Sequence, residues 1–221
     1  MNLSVAIDGP AGAGKSTIAK LLGEKFNLMY INTGSMYRAV TLKALENHIK
    51  AENLNELNSL MDDLSMHFEN DRLILNGVDV NDELTVPKIS NNVSAYASIK
   101  EVREKLVKLQ QNIAENFNVI MDGRDIGTVV LKNATFKFFL TATPEERADR
   151  RYKELISKGI NSNYDEILQD IKRRDYIDSH RDIDPLKKAD DAIEIDTTGL
   201  GIFEVVDKMA CIMEETLKEI N

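Results

Sequence analysis

Gly9-Pro10-Ala11-Gly12-Ala13-Gly14-Lys15-Ser16 fits the pattern G-x-x-x-x-G-K-[ST]. It lies between an apolar run, Leu3-Ser-Val-Ala-Ile7, closed by Asp8, and an amphipathic stretch from Lys15 to Phe26. A buried strand, a tight turn and a helix in that order are the context such a loop needs. Small side chains let backbone N–H groups converge on phosphate oxygens, and the helix N-terminus adds positive potential. Lys15 then reaches the β- and γ-phosphates, and the Ser16 hydroxyl is a ligand for Mg2+. Residues 9–17, counting Thr17 at the head of the helix with the loop, are therefore expected to hold a nucleoside triphosphate.

Outward from this loop the chain keeps alternating strand and helix. Leu28-Met-Tyr-Ile31 reads as a strand ending at Asn32-Thr33-Gly34, where Asn32 or Thr33 can cap a helix carrying Met36, Tyr37, Val40, Leu42 and Leu45. Further strands are expected at Val119-Ile-Met121, Phe136-Lys-Phe-Phe-Leu140 and Ala192-Ile-Glu-Ile195, each followed by a loop and a helical pattern. That rhythm predicts an α/β fold, a P-loop NTPase-type parallel sheet flanked by helices on both faces. The middle departs from it: Met66-His-Phe68, Leu73-Ile-Leu75 and Val78-Asp-Val80 are short extended runs separated by Asn70-Asp71 and Asn76-Gly77. They predict a small antiparallel β insert within about residues 60–85.

Composition bounds the function. The 221 residues, 43% hydrophobic and 29% charged, suit one large domain or one domain with an insertion. No apolar run approaches the ~18 residues of a membrane span, and Asp8 interrupts the first apolar run where a secretory signal would continue. A soluble, cytoplasmic protein without a membrane partner is the expectation, with a monomer as the default. The net charge of −9 argues against nucleic acid as a partner. His48, His67 and His180 lie far apart with no CxxC or HxxxH partner, so any metal is expected on oxygen ligands. Cys211, among Met209, Ile212 and Met213, is expected as a buried core thiol. Charge is unevenly spread. Nine acids between residues 51 and 85 face the single Arg72 and read as a solvated face, whereas six of the ten arginines fall between Arg147 and Arg181.

A phosphate-binding loop leaves open where the γ-phosphate goes. An alcohol acceptor usually calls for a base, whereas a phosphate acceptor is already anionic near neutral pH and calls for charge neutralisation. Clustered arginines favour the phosphate acceptor. Two rival readings stay open here: a P-loop kinase for another small acceptor such as UMP, and a nucleotide-dependent binding switch.

Tyr37-Arg38 after Asn32-Thr33-Gly34-Ser35, Asp122-Gly-Arg-Asp-Ile-Gly127, and Arg173-Arg-Asp-Tyr-Ile-Asp-Ser-His-Arg181, together with the loop, closely resemble the bacterial cytidylate kinase family over nearly the whole chain. The resemblance implies ATP-dependent phosphorylation of CMP and dCMP, with Mg2+, in pyrimidine metabolism. It implies that Arg38 and Arg124 hold the acceptor phosphate, with Thr33 and Tyr37 lining that pocket, and that Ser94, Arg103 and Asp125 read the cytosine edge. Arg174 and Asp178 would contact the sugar and phosphate region, and Arg181 would reach the phosphates at the point of transfer. Lys15, Arg124, Arg181, Arg147 and Arg151 form the implied catalytic set, the last two from a mobile lid. Arg150 is either a donor contact or a surface charge of that lid, and Asp122 either organises the Mg2+ hydration shell or is structural. The implied layout is core at 1–32, 101–144 and 171–221, an acceptor region at 33–100 containing the insert, and a helical lid at 145–170. Asn32 departs from the pattern, standing where many relatives carry Asp.

Overall fold

In the computed structural model, which describes residues 2–220, the strand before the loop is β1, Ser4–Asp8. Four of its five residues are buried, as a strand covered on both faces requires. The loop opens α1 (Lys15–Phe26), followed by β2 (Met29–Asn32) and α2 (Thr33–Glu46). Asn32, not Thr33, caps α2: its side chain accepts from the Ser35 N–H at 3.0 Å. Then come α3 (Leu54–Asp62), the short strands β3 (Met66–Glu69), β4 (Arg72–Leu75) and β5 (Val78–Asp79), and the helices α4 (Pro87–Ala97) and α5 (Lys100–Asn116). The last third holds β6 (Val119–Gly123), a π-helical turn at Ile126–Val130, β7 (Phe136–Thr141), α6 (Pro144–Ser157), α7 (Tyr164–His180), β8 (Ile193–Asp196) and α8 (Ile202–Ile220).

The main sheet runs β2-β6-β1-β7-β8 and is parallel throughout. Side chains alternate across it. Val5 and Ile7 face a core shared with Ile18 and Leu22 of α1 and Met209 and Met213 of α8. Ala6, with Ile31 and Met121, faces the opposite core, shared with Met36 and Val40 of α2, Val93 of α4 and Leu106 of α5. The expected parallel sheet with helices on both faces is what the chain builds.

The insert is antiparallel in the order β3-β4-β5. Its two turns are two-residue hairpins in which both residues have positive φ: Asn70 at 47° and Asp71 at 63°, then Asn76 at 50° and Gly77 at 79°. That is the primed geometry whose twist matches the flanking strands, which is why those dipeptides mark the turns. Met66, Phe68, Leu73 and Leu75 on one face of the insert join the core shared with α2 and α4, while eight of the nine acids between residues 51 and 85 are exposed, as a solvated face requires. Arg72 pairs with Asp79 and Asp82 on the other face.

Cys211 corrects an expectation: it is exposed, on the solvent side of α8. The core face of that helix is the stripe Val205, Val206, Met209, Ala210 and Met213, and Cys211 falls outside it. Among the described residues no helix is long and apolar enough to cross a membrane.

Candidate active site

The loop between β1 and α1 lies at the C-terminal end of the sheet, the end where α/β sheets hold ligands. Gly9 passes so close to β7 that an added Cβ would stand 2.1 Å from the Leu140 carbonyl oxygen, so no side chain fits there. Gly14 takes φ +86° to turn the chain into α1. Lys15 is buried and folds over the loop, its Nζ donating to the Pro10 carbonyl at 2.7 Å. Burial, then the Arg124 charge, holds this ammonium well below the usual lysine range, against Asp122, Asp8 and Asp178.

Asp122, near the end of β6, lies opposite Ile7 on one neighbouring strand and Asn32 on the other. Its Oδ2 accepts from Ser16 Oγ at 2.9 Å, its Oδ1 from the Tyr30 hydroxyl at 2.9 Å, and its carbonyl from Thr33 Oγ1 at 2.7 Å. A hydroxyl and a carboxylate at the foot of a phosphate loop are hard oxygen donors, which suits Mg2+ bound mainly through phosphates and water. Among the described residues no cluster of three or more His, Cys, Asp or Glu forms a cage of its own. Burial and Asp122 together raise the Tyr30 hydroxyl far above the ordinary tyrosine range, so it remains a donor.

Three guanidinium groups lie close together, Arg38 from α2, Arg124 just after β6 and Arg174 from α7, and the Arg124 charge helps to depress both Arg38 and Arg174. Arg38 is pushed down to about 10, first by burial and then by Arg174 and Arg124. Neither Arg38 nor Arg174 makes a hydrogen bond or ion pair among the described residues, and Arg174 Nε is buried with no acceptor. Arg124 Nε donates to Asp178 Oδ2 at 2.7 Å. Burial would raise Asp178, but Arg124, together with Arg181 and Arg174, outweighs it and holds the carboxylate ionised. A net positive, partly unpaired cluster of this kind is a receptor for a dianion.

Beside it lies a second cluster. Arg103 of α5, 1% exposed, donates to Asp125 Oδ2, to Asp184 Oδ2 at 2.8 Å and to the Ala97 carbonyl at 3.1 Å. Arg181 donates to the Asp184 carbonyl and, at 3.4 Å, to Asp125 Oδ1. The Tyr37 ring lies 5.5 Å from the Arg103 guanidinium carbon, so Tyr37 belongs with this cluster more than with Arg38. Ser94 sits one turn before Ala97 on the same face of α4, half-buried. Burial raises Asp125 despite Arg103 and Arg181.

The three arginines of α6 separate. Arg147 is buried and ties three elements together, donating to Ala142 O at 2.9 Å, to Ala11 O of the loop at 2.9 Å and, through both terminal nitrogens, to Asp175 of α7 at 3.0 and 2.6 Å. Arg150 donates to the Thr197 hydroxyl and carbonyl after β8. Arg151 pairs with Glu154 on its own exposed helix face and joins neither cluster.

Sequence reasoning passed over Asp8 as a strand end. Its buried carboxylate accepts from the Ile126 and Gly127 amides at 2.8 and 2.7 Å, pinning the turn that follows Asp125. Burial outweighs those two donors and raises this carboxyl to about 6. Asp184 also escaped notice, because its partner Arg103 lies 81 residues away.

Residues 5–215 match the family model described as cytidylate kinase. A cytidylate kinase of Clostridium perfringens is 70% identical over 213 residues, 96% of this chain and 98% of its own. Those of Clostridium acetobutylicum and Clostridium botulinum are 65% and 56% identical, over 94% and 97% of this chain and 95% and 99% of their own. Among solved structures, an uncharacterized protein from Eubacterium ventriosum aligns with TM-score 0.56 at 13% identity, over 97% of this chain and 99% of its own. A gluconokinase from Sinorhizobium meliloti aligns at 0.50 and 11%, over 99% and 98%. At such identities these two share the fold.

Proposed function

Since the chain belongs to the cytidylate kinase family, and is by that membership a kinase, we propose that it transfers the γ-phosphoryl group of ATP directly to CMP and dCMP. The observation that carries this reading is the arginine cluster, in which Arg38 and Arg174 have no anion to pair with among the described residues and Arg124 is shared with Asp178. Two polyanions meeting at one site need that charge, and a phosphate acceptor needs no base.

In this reading residues 9–17 hold the donor, with backbone amides and Lys15 on its phosphates. Lys15 leaves the Pro10 carbonyl to do so. Ser16 and Asp122 would hold Mg2+, which would supply charge neutralisation for the donor phosphates. Arg38, Arg124 and Arg174 grip the acceptor phosphate near Thr33, and Asp178 sets Arg124 while facing the sugar. An oxygen of the acceptor phosphate attacks the γ-phosphorus in line, and the bond to the β,γ-bridging oxygen breaks, leaving ADP and CDP. Charge that spreads over the transferred oxygens meets Lys15 and the arginines, with Arg147 of α6 already beside the loop at the Ala11 carbonyl and Arg181 and Arg151 approaching on closure. Ser94, Arg103 and Asp125, beside Tyr37, read the base. A carboxylate accepts from the cytosine amino group, which uracil lacks.

The test is ADP release by purified protein with ATP and Mg2+ against CMP, dCMP, UMP, AMP, GMP and no acceptor. Fast release with CMP and dCMP, slower with UMP and little with the purines, is expected. Lys15→Met should abolish turnover in a folded protein. Acceptor-independent release, another best acceptor, or an active Lys15→Met variant would overturn the reading.

A further inference from the structure

The Arg103–Asp125 pair does not stand alone. Asp184 lies in the irregular segment between α7 and β8, with backbone φ +48°, a left-handed conformation that Asp tolerates better than most residues. From there its carboxylate accepts from Arg103 Nε at 2.8 Å while its own carbonyl accepts from Arg181 Nε at 2.7 Å. It thus holds both arginines of the cluster from one side, as Asp125 holds both from the other. The two acids and two arginines balance in charge, so neither guanidinium is left with an unpaired positive charge in the interior.

We propose that Asp184 is a positioning residue for acceptor selection, clamping Arg103 at Nε so that its remaining N–H groups present a fixed edge to the pyrimidine ring. This rests on the reading that Arg103 and Asp125 contact the base. A guanidinium carries five N–H groups. Nε is taken by Asp184, one terminal nitrogen by Asp125 and the other by the Ala97 carbonyl. One N–H remains on each terminal nitrogen. Cytosine offers two adjacent acceptors, N3 and O2, whereas uracil presents N3–H there, a donor facing a donor. Discrimination of this kind demands that the fork not swivel, and two carboxylates on two different nitrogens of one guanidinium prevent that. The cluster is closed, with Arg103 1% and Arg181 6% exposed. The contact that yields to an entering base is Arg181 to Asp125, the longest of the set at 3.4 Å, and the Asp184–Arg103 pair stays.

The experiment is steady-state kinetics of the full chain carrying Asp184→Ala or Asp184→Asn, against CMP and UMP with ATP, beside Asp125→Ala. Expected for Asp184→Ala is a KM for CMP raised about tenfold, kcat within about twofold, an unchanged KM for ATP, and a fall of about tenfold in the CMP-to-UMP ratio of kcat/KM, the loss of one charge-assisted hydrogen bond. Asp184→Asn keeps the backbone conformation and one acceptor, so it shows the same pattern at about threefold and decides the matter should the alanine variant not fold. If the Asp184 variants leave the CMP KM and the ratio unmoved while Asp125→Ala moves both, Asp184 has no such role and the base reading stands. If Asp125→Ala also moves neither, the base reading falls and the proposal with it. Equal shifts in the ATP and CMP constants, with the ratio unmoved, would mark Asp184 as structural and overturn it.

Discussion

Replacing Arg38 by Met should make the protein more stable and a poorer kinase. The Arg38 guanidinium is held down to about 10 by burial and by two neighbouring arginines, with no acid bonded to it among the described residues. A displacement of that size corresponds to roughly 3 kcal/mol of cost to the folded state. The sign follows from a base lowered on folding: the cost is complete below about pH 10 and fades as pH climbs towards the ordinary arginine range, so it is flat across the neutral range. Met fills the volume of the arginine stem without the charge. With the contacts of the head lost and some relaxation already present, a net gain of about 1–2 kcal/mol is expected, within the range seen when buried charges become apolar. For a chain of this size that raises Tm by about 3–6 °C, readable by calorimetry without nucleotide. The same change removes charge-assisted contacts to the acceptor phosphate, about 1.5–3 kcal/mol, so the KM for CMP should rise roughly ten- to hundredfold with the KM for ATP unmoved. A lower Tm together with an unchanged CMP constant would show that Arg38 is a structural residue and would refute the argument.

The Asp8 carboxyl should titrate near pH 6, followed through its carboxyl-carbon shift; because burial disfavours its ionised form, its cost to stability is absent below about pH 4 and complete above about pH 6, and a midpoint in the ordinary range would refute the dominance of burial. Gly9→Ala should lower stability by at least about 3 kcal/mol or prevent folding, since the new methyl meets backbone, and a soluble variant with wild-type Tm would contradict the packing of β1 on β7. Cys211 should react with a thiol reagent in the native protein, and Cys211→Ser should change unfolding free energy by less than about 0.5 kcal/mol; protection until denaturation would restore a buried thiol.

What was legible in the sequence was what local periodicity and turn chemistry encode. Leu3 to Ile7 reads as a buried strand because one face alone would alternate, and Asn76-Gly77 reads as a hairpin because few other dipeptides accept positive φ twice. Cys211 was misjudged because a run such as Met209 to Met213 does not reveal which side of a helix meets the core. Asp8, Asp175 and Asp184 were missed for a different reason. Each is one acid among 37, and only the fold sets Asp175 against Arg147 or Asp184 against Arg103. Pairing over such separations leaves no periodic trace.

The C-terminal end of β6 explains why so much function fits into so short a stretch. Asp122, Gly123, Arg124 and Asp125 serve four different purposes in consecutive positions: a carboxylate to Ser16, a close approach, a guanidinium in the cationic cluster and a carboxylate to Arg103. Gly123 must be bare, because a Cβ there would stand 2.6 Å from Ile126 and 2.8 Å from the Thr33 hydroxyl, which itself binds the Asp122 carbonyl. A slip of one residue would send Asp122 to the opposite face of the sheet and displace the residues that follow it. Register is therefore fixed twice at this point: β1 pairs Ile7 with Asp122 and Asp8 with Gly123, and β2 pairs Asn32 with Asp122. Beyond the last pair the Asp8 carboxylate takes over, gripping the amides of residues 126 and 127 where strand hydrogen bonding has ended. The same strand that carries the phosphate loop thus orients the group proposed to read the base, and Asp8 is the residue that joins the two halves of the site.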